Sequence, residues 1–218
     1  MPMALKAVII PVTPFQQNCT VLWDDETMRG AVSDPGGDLE RIEEVISAQG
    51  IVLEKILLTH GHLDHASGAG ALAVKYKVPI EGPHRDDQFL ISDLRRQGEK
   101  YGFPLYPDFE PDLWLEDGDE VSVGNLTFGV RHCPGHTPGH VVFFHQPSQL
   151  ALVGDVLFKG SIGRTDLPRG NYQTLIESIR DRLWPLGEAM TFVPGHGPVS
   201  TFGYERKTNP FVADNMLD

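Results

Sequence analysis

Thr59-His60-Gly61-His62-Leu63-Asp64-His65 follows directly on the apolar run Ile56-Leu57-Leu58 and sets three histidines and one aspartate within six positions. Imidazole and carboxylate are the donors that a borderline divalent cation takes, and no packing requirement concentrates them this densely. The apolar run reads as the end of a strand spanning 51–58, so the heptapeptide sits where that strand stops. At a strand end His60 and His62, two positions apart, point to the same side. Asp64 and His65 follow the turn and face a neighbouring point in space.

Outward from this stretch, three more polar clusters stand where strands end: His132-Cys133-Pro134-Gly135-His136, Gly154-Asp155, and Pro194-Gly195-His196-Gly197. Glycine or proline beside each polar residue lets the backbone turn sharply and approach a bound group. A single ion takes three or four protein ligands, fewer than the candidates His60, His62, Asp64, His65, His136, Asp155 and His196 supply. Two ions suit the set better. His84, His132, His140 and His145 are read as structural or exposed, and Cys19 and Cys133 as buried, inert thiols.

Periodicity places strands over 5–12 and 18–23, a turn at Asp24–Thr27, and a returning strand from Gly30 to Ser33. A helix from about Asp38 carries Leu39, Ile42, Val45 and Ile46 on one face and stops at Gly50. Helices are also expected over 67–76, over 85–100 with Phe89, Leu90 and Leu94 inward, and over 171–183 from Asn171. A short strand is expected at Val78–Ile80, and others at 120–123, 126–132, 140–145, 150–153 and 191–193. This alternation predicts one α/β domain of two halves, sheets inside and helices outside, with a short tail from about 203.

The 218 residues suffice to bury a sizeable core, and 40% hydrophobic with 22% charged residues is ordinary for a soluble globular chain. A net charge of -12 disfavours nucleic acid and anionic membrane as partners. Neither a signal-peptide block nor a membrane span is evident, and two cysteines make no disulfide framework. A cytoplasmic location is expected.

Thr59–His65, followed in order by His136, Asp155 and His196, resembles the metallo-β-lactamase superfamily over nearly the whole chain. The resemblance implies a four-layer αββα sandwich, classed α/β or α+β. It implies two divalent ions, zinc first and iron or manganese otherwise: one on His60, His62 and His136, the other on Asp64, His65 and His196, with Asp155 bridging. Asp34, in Ser33-Asp34-Pro35-Gly36, resembles the aspartate that orients a ligand histidine, although an Asp before Pro also starts turns.

Within the superfamily, His136-Thr137-Pro138-Gly139-His140, Gly154-Asp155-Val156-Leu157-Phe158 and Asn209-Pro210-Phe211 look like segments of the glyoxalase II group, especially its short bacterial members. That likeness implies hydrolysis of S-lactoylglutathione to glutathione and D-lactate by a metal-bridging hydroxide, with Asp64 and Asp155 as the catalytic carboxylates. The small-molecule partner is then a glutathione thioester. Arg164 stands where the group has a glutathione-binding lysine, and Asp166 and Pro198 replace two tyrosines. Arg164 and Lys159, with Arg169 and Arg206, are the candidate anion contacts. An alternative is a persulfide dioxygenase with one iron, because Gly163-Arg164-Thr165-Asp166 resembles that group too. An ester or lactone hydrolase and a non-catalytic metal-binding module are further alternatives.

Overall fold

The computed structural model describes residues 5–216. The chain opens with β1 (Leu5–Val12), β2 (Gln17–Asp24) and β3 (Arg29–Ser33), paired antiparallel in sequence. Helix α1 (Leu39–Gln49) crosses back to β4 (Val52–Leu57), which lies parallel to β3. Gly50 ends α1 at φ 68°, where its amide caps the last turn by bonding the Ile46 and Ser47 carbonyls. After α2 (Leu63–Ala66) and α3 (Ala69–Tyr76), β5 (Ile80–Glu81) completes a five-stranded sheet in the order β1-β2-β3-β4-β5.

Two short helices, α4 (Gln88–Ile91) and α5 (Leu94–Tyr101), lead to the second half. There β6 (Glu120–Val123), β7 (Leu126–His132), β8 (Val141–His145) and β9 (Leu150–Gly154) form a meander. A small hairpin, β10 (Leu157–Phe158) with β11 (Ser161–Ile162), precedes α6 (Tyr172–Ser178). Strand β12 (Thr191–Pro194) then joins β9 in parallel, and β13 (Ser200–Thr201) pairs with β12 before α7 (Phe202–Thr208). The second sheet runs β13-β12-β9-β8-β7-β6.

Three buried clusters define the layers. Leu22, Ala31 and Leu57 of the first sheet meet Val121, Phe128, Val141, Phe143, Leu152 and Val193 of the second, so the sheets pack face to face. On the outer face of the first sheet Val21, Val32 and Ile56 pack on Ile42, Ile46 and Leu72 of α1 and α3. On the outer face of the second, Val142, Ala151 and Phe192 pack on Leu175, Ile176, Ile179 and Phe202. Helix, sheet, sheet, helix is the αββα order expected from the sequence. No described helix is long and apolar enough to cross a membrane.

Two expected helices differ in form. The 85–100 helix is a 3-10 turn at Arg85–Asp87 followed by α4 and α5, because Asp87 turns inward and spends its carboxylate on other loops. Leu90 is buried as expected, whereas Phe89 is only half-buried and lies under the Arg169 guanidinium, 4.2 Å from its ring centroid. The 171–183 helix is regular only to Ser178 and widens into a π turn over Ile179–Leu183. The segment from 203 packs on its own chain: Val212 and Ala213 are buried, with Glu205 and Asn209.

Candidate metal centre

The ends of β3, β4, β9 and β12 and the β7–β8 loop converge on one edge of the sandwich. The Thr59 carbonyl accepts from Val141 N at 2.8 Å, and the Gly195 carbonyl from Asn18 N at 2.7 Å, so each sheet holds a loop of the other. Gly195 is one of the tight points of this edge. A Cβ there would overlap Asp155 Oδ1 and crowd the His65 ring, so only glycine lets the chain pass.

The histidine tautomers follow from what lies behind each ring. His136 Nδ1 is 2.7 Å from the Arg164 carbonyl, His65 Nδ1 3.0 Å from Asp34 Oδ2, and His196 Nδ1 3.1 Å from the Phe15 carbonyl. Carbonyl and carboxylate oxygens only accept, so each Nδ1 carries the proton and each Nε2 lone pair turns inward. For His60 the chain is one bond longer. Thr59 Oγ1 donates to Asp34 Oδ2 at 2.6 Å and can then accept from His60 Nδ1 at 3.1 Å. Asp34 thus orients two rings, and its Oδ1 also accepts from Thr59 N at 2.8 Å.

His62 presents Nδ1 instead, at 3.0 Å from His60 Nε2 and 2.9 Å from His136 Nε2. One proton on His62 Nδ1 can serve only one of these two lone pairs. A cation at their meeting point satisfies all three nitrogens. Beside them, Asp64 Oδ2 lies 3.2 Å from His196 Nε2, and Asp155 Oδ1 lies 3.4 Å from His65 Nε2. The second Asp155 oxygen is 3.5 Å from His136 Nε2 and 3.7 Å from His196 Nε2, so this carboxylate faces both groups. His65 Nε2 and Asp155 Oδ1 are buried and make no hydrogen bond. Such orphaned polar atoms are costly unless an ion takes them. The residues fit two cations: His60, His62 and His136 offer one set, and Asp64, His65 and His196 another.

The electrostatics agree. Burial, and then the neighbouring His136, push His62 down to about 3, and burial holds His60 and His136 below the usual imidazole range. All three are neutral lone-pair donors at pH 7. Burial works against ionising Asp155, yet His65 and His136 keep its pKa well below the carboxylate range. Burial likewise opposes the His65 cation, but Asp155 and Asp64 raise its pKa well above the usual value. One group is neutral, and the other sets two carboxylates against imidazoles drawn toward their protonated form.

Every expected ligand residue therefore lies at this centre, as does Asp34. The remaining histidines belong to neither ligand group. His140 stacks on His60 at 4.6 Å and accepts from Asp155 N at 3.0 Å, and His84 stacks on His132 at 4.2 Å. His145 Nδ1 lies 2.9 Å from Ser148 Oγ. Both cysteines are free and buried, and burial raises each thiol.

The centre opens into a cavity of about 540 Å³, lined in part by Arg164. Lys159 does not line this cavity, and its ammonium lies 5.8 Å from the Tyr204 ring centroid. Arg169 covers Phe89, and Arg206 pairs with Asp214 at 3.0 Å.

Two groups of residues escape a reading based on motifs. Asp87 is fully buried and accepts from Gly61 N, Thr137 Oγ1 and Gly139 N at 2.9, 2.8 and 2.6 Å, joining the loops that carry His60, His62 and His136. Its only signal in the sequence is an Asp within an amphipathic run. The other group is the polar side of α5, whose Arg96 and Lys100 line the cavity.

A two-sheet sandwich with a His/Asp cluster at one edge defines a class of metal-dependent enzymes. The chain belongs to the metallo-beta-lactamase superfamily, whose sequence profile matches residues 12–196. It is 45% identical to a hydroxyacylglutathione hydrolase, GloC, from Haemophilus influenzae, over 94% of this chain and 96% of that protein. Among solved structures, a B3 metallo-beta-lactamase, BLEG-1, superposes with a TM-score of 0.87 at 34% identity, covering 95% of this chain and 99% of that one. TTHA1623 in a di-iron-bound form superposes at 0.85 and 33%, covering 94% and 100%.

Proposed function

We propose that the protein hydrolyses S-lactoylglutathione to glutathione and D-lactate. We assign His60, His62 and His136 to one divalent cation and Asp64, His65 and His196 to a second, with Asp155 shared between them. The observation that carries this reading is the position of Asp155, one oxygen toward each ligand group, at the floor of a cavity of about 540 Å³. That volume is in the range that holds a small-molecule conjugate. Likeness to a hydroxyacylglutathione hydrolase supports the substrate class. Zinc, iron and manganese all accept this donor set, with zinc the first expectation.

When bound, a pair of such cations brings the pKa of water towards roughly 7 and polarises a carbonyl oxygen. The chain's own groups do the positioning. Asp64 and Asp155 face the cavity as carboxylates, so each can accept a hydrogen bond from water entering there and aim its lone pair at the thioester carbon. Buried Thr59, Asp34 and His140 hold the rings and the Asp155 backbone behind that face and exclude solvent from it. A thiol has a pKa of about 8.5, so the glutathione sulfur leaves as thiolate without a dedicated proton donor.

The test follows free-thiol release from S-lactoylglutathione by purified protein whose cation content is measured on the same sample. Steady thiol release is expected. Oxygen uptake on glutathione persulfide by a one-iron protein that leaves the thioester intact would establish the dioxygenase instead.

A further inference from the structure

The cavity has a second wall. Asp93, the N-cap of α5, and Arg96, Gln97, Lys100 and Tyr101 within that helix all line it, at positions i, i+3, i+4, i+7 and i+8. That spacing is a single helical stripe, and here it is polar and turned toward the metal centre's cavity. The charges on it are not equivalent. Arg96 is tied to Asp93 by two bonds of 2.6 and 2.7 Å, and Arg164 across the cavity to Asp166 by two of 2.7 Å. Lys100 makes no ion pair among the described residues, and its ammonium rests 4.9 Å from the Tyr101 ring centroid. In a chain of net charge -12, an uncompensated cation facing a cavity is a local attractor for anions.

We propose that this stripe of α5 binds the peptide end of the substrate, with Lys100 as the anchor for one of its carboxylates. The inference rests on the glutathione-thioester reading above. A glutathione conjugate carries two carboxylates, one ammonium and two peptide bonds. The stripe answers each: an ammonium on Lys100, a paired carboxylate and guanidinium on Asp93 and Arg96, and an amide on Gln97. Arg164 stands at the other side of the same cavity. The segment 94–101 thus sets specificity for the thiol half, while the metal centre acts on the acyl half.

The test is calorimetric binding of S-hexylglutathione, a thioether that cannot be hydrolysed, to the metal-loaded protein and its Lys100 variants. Losing one charge-assisted contact at a partly open site should raise Kd about tenfold in Lys100→Met, and more in Lys100→Glu, while Lys100→Arg keeps most of the affinity. In turnover, Lys100→Met should lower by about tenfold the preference, in kcat/KM, for S-lactoylglutathione over S-lactoyl-N-acetylcysteamine, which lacks the carboxylates. Equal Kd for wild type and Lys100→Met overturns the proposal, as does failure of the wild type to bind the thioether. Binding that depends on Lys100 without thioester hydrolysis would leave the subsite standing and sink the hydrolase reading. Hydrolysis indifferent to Lys100 would do the reverse.

Discussion

At the scale of single residues, the centre depends on groups that never face the cation sites. Asp34 sits at φ 52°, a left-handed conformation that aspartate tolerates better than most residues, and from there its carboxylate reaches Thr59 and His65. Removing such an outer carboxylate typically costs 10- to 100-fold in metal affinity. Asp34→Ala should therefore weaken cation binding by about that factor in a chelator competition, with the ligand residues all intact. Affinity equal to wild type would mean that the His60 and His65 tautomers are fixed elsewhere. The ligand set was legible in the sequence because His60, His62, His136, Asp155 and His196 each sit beside glycine near a strand end, and Asp64 and His65 follow directly on the first of these turns. For Asp34, the Ser33-Asp34-Pro35 context fitted a turn as well as a carboxylate behind a histidine. Only the 3.0 Å contact to His65 separates the two.

Among the elements, the segment 85–101 carries more of the function than its amphipathic pattern suggests. Apolar spacing alone predicts one helix there, but Asp87 breaks it by turning into the protein to meet three donors. Asp87→Ala would leave Gly61 N, Thr137 Oγ1 and Gly139 N unpaired, a loss of about 3 kcal/mol or more in urea unfolding. A pH signature accompanies it. Burial pushes the Asp87 carboxyl up to about 6 in the folded protein, against the donors that favour its ionised form. A folded pKa above the unfolded value of about 3.9 gives stability that is full below pH ~4 and lost as pH rises through ~6, about 3 kcal/mol in all. In metal-stripped protein this fall should appear in wild type and be missing from Asp87→Asn. Parallel pH profiles for the two would contradict it.

Element boundaries near the C-terminus were likewise hidden from the sequence. Asn209, in the Asn209-Pro210-Phe211 stretch, donates to the Ser161 carbonyl at 3.0 Å and to Glu205 Oε2 at 2.9 Å, while Gly160 N donates to the same Glu205 oxygen at 2.8 Å. These bonds brace the β10–β11 hairpin that leads to Arg164. Two-residue strands held by a distant buried glutamate have no periodic signature, so the hairpin and α7 could not be read ahead of the structure.

For the molecule as a whole, layer order and the position of the centre follow from long strands, tight turns and their polar ends. The substrate wall does not, because it is built from a polar helix face that looks like any solvated face in sequence. Asp155 faces both ligand groups, and on the proposed assignment activity should require both cations. The most direct measurement titrates divalent cation into metal-stripped protein while following thiol release from S-lactoylglutathione. The account predicts about two ions per chain, with rate rising as the second binds, and Asp155→Ala losing cation content together with rate. Full turnover with one ion per chain, or unchanged cation content in Asp155→Ala, would contradict it.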